Sequence, residues 1–309
     1  MKGPGKSYRK GISLVSLMKQ FPDDEAAEKW FIEQRWGDEI TCPKCGSHNV
    51  QVKTKHPQMP HRCRSCRKFF SVKTGTVMQG SNLGYQHWVI GIFLMTTNLK
   101  GVSSLKLHRD LGISQKSAWY MLHRLREVYA DSQAKFSGPV EVDETYVGGK
   151  ERNKHSNKKL HAGRGGVGKQ AVVGAKDRIT NKITAKKVNK TNKETLQGFV
   201  EDVTDENATV YTDDHRAYQG LPRKHEAVKH SVSEYVRDQA HTNGIESFWA
   251  LLKRGYHGTY HHMSEKHLNR YIGEFSGRYN DRDLDTITQM AVITKKLIGK
   301  ELRYKDLVR

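Results

Sequence analysis

Four cysteines and three carboxylates are the residues of this chain whose types and spacing could do chemistry. The cysteines occupy one window, Cys42-Pro-Lys-Cys45 and Cys63-Arg-Ser-Cys66, with 17 residues between the pairs. Two Cys-x-x-Cys knuckles at such a spacing assemble a tetrahedral thiolate shell for Zn²⁺. Four thiolates fill the coordination sphere, so the ion they predict is structural. Two disulfides are the alternative. The basic N-terminus, however, passes through a short apolar stretch, Ile12–Met18, into Phe21-Pro22-Asp23-Asp24, which does not read as an export signal. A reducing compartment favours zinc.

The carboxylates are Asp143, Asp213 and Glu246. Asp143 interrupts an otherwise apolar strand (Val140, Val142, Tyr146, Val147), and Asp213 follows another at Thr212-Asp213-Asp214. A carboxylate placed among apolar residues needs a basic partner or a metal. Glu246 shares one face of a helix with Asn243, Ala250 and Lys253, while Ile245, Phe248 and Leu252 form the core-facing side. Singly, each acid is explained as well by a cap, a turn or an ion pair. Together, three acids from separate elements converging on one sheet edge would make a two-metal phosphoryl-transfer site. Oxygen ligands of this kind suit Mg²⁺ or Mn²⁺.

The elements that must position these groups follow from periodicity and turn residues. Val140–Val147, Gln170–Ala175 and Ile183–Val188 predict a strand meander, and Asn192–Val203 a helix. A strand at Ala208–Tyr211, a short one near Ala227–Lys229 and a helix from Asn243 through Lys253 complete this half. Upstream, Tyr85–Thr97 and Ser103–Asp110 read as helices. The turn Leu111-Gly112-Ile113-Ser114 then leads into a helix over Gln115–Val128 with Ser114 as N-cap. Its apolar stripe is Ala118, Leu122, Leu125 and Tyr129, leaving Lys116, Ser117, Tyr120, His123, Arg124 and Glu127 outward. That is a helix-turn-helix pattern, with Lys116 and Arg124 as candidate DNA contacts.

Charge supports a polyanionic partner: 53 Lys+Arg against 33 Asp+Glu give a net charge of +20. Much of it lies in a glycine-rich, acid-poor stretch, Gly148–Lys169, read as a mobile loop able to fold onto DNA, with Lys158 and Lys159 as candidate contacts. Within it, Gly163-Arg-Gly-Gly-Val-Gly168-Lys169-Gln170 approaches a P-loop. Gln170 lacks the hydroxyl that would hold Mg²⁺, and a strand follows where a helix should open, so no nucleotide cofactor is expected. No apolar run is long enough for a membrane span.

Three motifs together carry a resemblance: Val140-Glu-Val-Asp143-Glu-Thr-Tyr-Val147-Gly-Gly, Val210-Tyr-Thr-Asp213-Asp-His-Arg-Ala-Tyr218, and His241-Thr-Asn243-Gly-Ile-Glu246-Ser-Phe-Trp-Ala-Leu-Leu-Lys253-Arg-Gly. They resemble the DDE transposases of bacterial insertion sequences, in particular the zinc-ribbon subgroup whose catalytic domain is called ISXO-two-like. Phe21-Pro-Asp-Asp-Glu-Ala-Ala and Arg35-Trp36 ahead of the first knuckle fit the same group. The resemblance implies a multidomain α+β protein: an N-terminal helix and zinc ribbon (1–80), a helix-turn-helix-like DNA-binding domain (81–136) and an RNase H-like α/β catalytic domain with a mixed sheet (137–309). It implies Asp143 on the first strand, Asp213 after the fourth and Glu246 on the following helix as Mg²⁺ ligands, with Lys253 and Arg254 reaching DNA two turns later. Asp214 is the alternative to Asp213, and Asn243 to Glu246. The end-of-strand Thr-Asp favours Asp213, and a carboxylate binds Mg²⁺ better than an amide.

The activity implied is metal-dependent cleavage at element ends followed by transfer of the 3′-hydroxyl into target DNA. The expected partners are double-stranded DNA, as terminal inverted repeats and target, and a second or further copies of the chain. The expected setting is the bacterial cytoplasm and nucleoid. A non-catalytic zinc-ribbon regulator and a nuclease that cuts without joining are the alternatives.

Overall fold

A computed structural model describes residues 11–130, 135–149, 151–160, 166–228 and 242–309. In chain order the elements are α1 (Leu14–Gln20), α2 (Asp24–Trp36), β1 (Val50–Gln51), β2 (His61–Cys63), β3 (Phe69–Phe70), α3 (Tyr85–Thr97), α4 (Ser104–Leu111) and α5 (Gln115–Arg126). There follow β4 (Val140–Val147), β5 (Gln170–Asp177), β6 (Ile183–Val188), α6 (Lys193–Val203), β7 (Thr209–Asp213), β8 (Lys224–Val228), α7 (Asn243–Gly255), α8 (Leu268–Asn280), α9 (Thr286–Lys296) and α10 (Tyr304–Val308). The architecture is mixed α and β in two compact units, Met1–Val128 with Asp281–Arg309, and Tyr129–Asn280.

The first unit is built around α3. This helix buries Trp88, Val89, Ile92, Phe93 and Met95, which leaves it no wet face. A Cβ on its Gly91 would lie 2.5 Å from Met121 Cε of α5, so the glycine permits that close approach. Residues 281–309, assigned from the sequence to the catalytic domain, group here instead. Met290, Ile293 and Leu297 of α9 are buried, and the Val77 and Gly299 amides bridge to Leu297 and Gly75 carbonyls. Such pairing across some two hundred residues leaves no local trace in the sequence.

Helices α4 and α5 meet at Gly112, which takes the left-handed φ of 64° that the turn requires, and Ser114 caps α5 by accepting from the Ser117 amide. The outward face predicted for α5 needs correction. Lys116 is exposed, but His123 and Arg124 are buried, as is Arg126. Arg124 donates to Tyr120 Oη (2.9 Å), which donates to the Leu302 carbonyl (2.7 Å). The returning C-terminal segment therefore covers a face that helical periodicity alone leaves open.

In the second unit the sheet order is β6-β5-β4-β7-β8, with β4, β5 and β6 antiparallel and β7 and β8 parallel to β4. This is the mixed sheet expected for the second half of the chain. Val140, Val142, Val173 and Val210 pack with Leu196, Phe199 and Val200 of α6 in one cluster. Val147, Val172 and Ile183 pack with Ile245, Phe248, Trp249 and Leu252 of α7 in another. Alternation along each strand thus divides α6 from α7. The α7 helix has no side-chain cap from its own Thr242; its Ile245 amide donates to Glu141 Oε2 of β4 at 2.9 Å. Of the basic stretch 148–169, Lys150 and residues 161–165 lie outside the described residues. The remainder forms two short 3₁₀ turns and a Glu151–Lys154 ion pair of 2.6 Å.

Candidate functional site

Asp143 sits at the fourth position of β4, half-buried, and shares a face with Glu141 by the two-residue period of the strand. The parallel pairing of β4 with β7 matches Val140 to Val210 and Glu141 to Tyr211. Continuing that register two residues sets Asp143 beside Asp213, on the face that carries α7. Asp213 is the last residue of β7 and accepts from the His215 amide at 3.2 Å, whereas Asp214 is exposed beyond the strand.

The site's electrostatics follow from this crowding. Burial, then the charges of Glu144 and Asp213, push the Asp143 carboxyl up to about 7. Burial and Asp213 likewise raise Glu144, which faces the other side of the sheet and accepts from Tyr218 Oη at 2.9 Å. On the α7 side, Trp249 Nε1 donates to Asp143 Oδ2 at 3.0 Å. The indole lies across Gly174, the β5 partner of Asp143, where a Cβ would approach the ring to 2.6 Å. A bulkier residue there would displace the ring that holds Asp143.

Glu246 occupies the exposed face of α7, and its Oε1 accepts from Thr242 Oγ1 at 2.8 Å. The structure thus brings Asp143 and Asp213 together and leaves Glu246 turned to its own helix start. Among the described residues, the cysteines are the one group of three or more metal-ligating side chains drawn into a tight cluster.

That cysteine group has the geometry of a zinc shell. All four sulfurs lie within 4.8 Å of one another, with Cys42–Cys66 at 3.6 Å and Cys45–Cys63 at 3.7 Å. Zinc–sulfur bonds of about 2.3 Å place tetrahedral sulfurs about 3.8 Å apart, whereas a disulfide would bring two of them to about 2.05 Å. The knuckles repeat one another: the Cys42 amide donates to the Ser47 carbonyl and the Cys63 amide to Lys68, both at 3.0 Å. Each turn closes on a left-handed residue, Gly46 at φ 71° and Arg67 at φ 61°. The Cys66 amide also donates to Cys63 Sγ at 3.4 Å, a contact that favours thiolate.

Two stretches of the chain match known families. Residues 135–280 match the family described as the ISXO2-like transposase domain, and residues 22–69 match the transposase zinc-ribbon domain. Residues 135–280 thus carry an ISXO2-like transposase domain, preceded by a transposase zinc ribbon. A relative from Halobacterium salinarum, an uncharacterized protein in transposable element ISH50, is 26% identical over 274 residues, covering 84% of this chain and 92% of its own. Among solved structures, the cryo-EM structure of a simian T-cell lymphotropic virus intasome with PP2A regulatory subunit B56 gamma matches at 11% identity and a TM-score of 0.29. It covers 59% of this chain and 66% of that one. Among the described residues no helix is long and apolar enough to cross a membrane.

The match to a transposase zinc ribbon and the spacing of the sulfurs support a structural zinc held by the four cysteines. The candidate DNA contacts are distributed unevenly. Lys253 and Arg254 are exposed on α7, and Lys253 lines a pocket of about 170 Å³ with Tyr146, Lys169, Tyr256 and His257. Lys116 is exposed with its Nζ 4.7 Å above the Tyr304 ring. Lys159 is half-buried after a 3₁₀ turn, and the Lys158 side chain lies outside the described residues. Trp249, Glu144 and Tyr218 were not singled out from the sequence. The sequence signal for Trp249 is a polar-tipped aromatic on the core side of α7, three residues after Glu246.

Proposed function

We propose that the protein cuts DNA at the ends of its insertion sequence and transfers the freed 3′-hydroxyl into target DNA, using Asp143, Asp213 and Glu246. The observation that carries this reading is the crowding of Asp143 against Asp213 and Glu144, with the Asp143 carboxyl raised to about 7. Like charges pressed together on adjacent strands fit a divalent cation, and an all-oxygen donor set fits Mg²⁺ or Mn²⁺. Asp143 and Asp213 would hold the ions, with Glu246 joining them by turning away from Thr242. When bound, such ions stabilise charge on the attacking and leaving oxygens of a phosphodiester. The protein's own work is to hold the carboxylates rigidly. Trp249 fixes one Asp143 oxygen, and the β7 terminus fixes Asp213.

Lys253, on the same helical face as Glu246 and two turns on, would set a DNA phosphate beside the carboxylates. Arg254 and Lys159 extend that track, and Lys116 on α5 offers DNA a separate contact in the first unit. Arg124, being buried, does not. The DNA partners are the terminal repeats and target, bound by a homodimer or higher oligomer, in the cytoplasm at the nucleoid. The test combines linear element-end DNA, a target plasmid and Mg²⁺. Joined products support the reading, and cuts without joining reduce it to a nuclease. Equal end binding by wild type and Asp143→Ala, with no cleavage by either in Mg²⁺ or Mn²⁺, leaves a regulator.

A further inference from the structure

Glu141 is an ionisable residue only 1% exposed, second in the strand that carries Asp143, and the chemistry above does not use it. Its two oxygens are divided between elements. Oε1 accepts from Arg178 Nε at 2.8 Å, and Oε2 accepts from the Ile245 amide at 2.9 Å. Arg178, the residue after β5, lays its guanidinium 4.3 Å from the centre of the Tyr211 ring. Each partner adjoins a candidate ligand. Glu141 lies two residues before Asp143 on the same face of β4, and Tyr211 two before Asp213 on β7. Ile245 immediately precedes Glu246 on α7.

We propose that Glu141 and Arg178 are positioning residues, a buried ion pair that locks β4, β7 and α7 in one arrangement so that the three carboxylates address the same metal ions. This rests on the active-site reading above. Stability alone is a poor reason for the pair, because desolvating two charges cancels most of their attraction. Its geometric demands are strict, however, and the carboxylate supplies α7 with the N-terminal acceptor and negative charge that Thr242 does not. A Cβ on Gly244 would lie 2.7 Å from Glu141 Oε2, so the helix start is closed down onto this group.

The experiment uses the full-length, zinc-loaded protein. Mn²⁺ affinity is measured by electron paramagnetic resonance, end-cleavage kcat and KM by gel assay, and Tm by calorimetry. Glu141→Gln should weaken Mn²⁺ binding and lower kcat by about 10–100-fold each, as loss of groups that orient metal ligands does, with KM for DNA unchanged. Arg178→Gln should reproduce the loss, and Arg178→Lys, which keeps the charge, should recover most of it. Where Glu141→Gln does not fold, the two Arg178 variants supply the same contrast. Variants that lower Tm but keep wild-type Mn²⁺ affinity and kcat would overturn the proposal and leave a packing role. A wild type that neither binds Mn²⁺ nor cleaves, and is matched by Asp143→Asn, would overturn the active-site reading and this inference with it.

Discussion

The zinc ribbon and the carboxylate site both gather like-charged ligands, but they are held in opposite ways. In the ribbon each pair of cysteines is fixed by its own short turn, and the two turns repeat the same amide-to-carbonyl bond at 3.0 Å. The sulfurs stand at zinc-ready spacing because local backbone geometry puts them there. The carboxylates come from β4, β7 and α7, separated by up to a hundred residues, and no local bond sets their spacing. Register between parallel strands, an indole and a buried ion pair do that work. A locally specified site depends on its metal to fold, whereas a tertiary one is folded first and electrostatically uncomfortable until its cation arrives.

Removing zinc should have the largest effect. Structural zinc contributes on the order of 10 kcal/mol or more in small zinc domains, so chelation or Cys63→Ser should melt β1–β3, seen as loss of amide dispersion in that segment. Mn²⁺ binding at Asp143 and Asp213 should persist; its loss on zinc removal alone would erase the distinction between the two sites. Next, Asp143→Asn or Asp213→Asn should lower end cleavage by about 10³-fold or more, since several kcal/mol of charge stabilisation are lost. DNA-end binding should hold, and Asp214→Asn should be milder. Equal loss at Asp214 would show that strand register does not select the ligand.

Trp249→Ala should cost about 3–5 kcal/mol in denaturant unfolding, as large aromatic truncations in cores do. Trp249→Phe, keeping a ring but no N–H, should cost about 1–2 kcal/mol through the unpaired Asp143 oxygen.

The raised Asp143 carboxyl makes a signed prediction for the metal-free protein. The folded state retains a proton there between about pH 4, the usual carboxylate value, and 7, where the unfolded chain has lost it. Stability therefore falls as pH rises through that window. Asp143→Asn should flatten the fall and be the more stable protein at pH 8, while Mg²⁺ should restore the wild type. Smallest is Arg67→Gly. Relief of about 1 kcal/mol of left-handed strain, partly offset by chain entropy, should raise the ribbon's stability by a few tenths, read by calorimetry.

Much of this was legible in the residues. The strands Val140–Val147 and Ile183–Val188 and the helix Tyr85–Thr97 have the limits that alternation, periodicity and flanking glycines predict, and Asn192 and Ser114 cap the helices they precede. These are local properties, decided within a few residues by side-chain period and cap chemistry. The cysteine spacing belongs with them. What escaped was non-local. Arg124 looks outward on a helical wheel, but it is buried against Tyr120, which bonds a segment from the far end of the chain. Glu141 looks like one acid among many until Arg178 and the start of α7 close on it. Asp143 and Asp213 could be nominated from sequence as acids at strand positions. Their alignment came only with the parallel pairing of β4 and β7, and the placement of the helix that carries Glu246 only with the bond from the Ile245 amide to Glu141. The sequence by itself determined which elements form and which residues have the chemistry. Tertiary structure decided which of those residues meet, because burial and strand register are set by partners that no local pattern encodes.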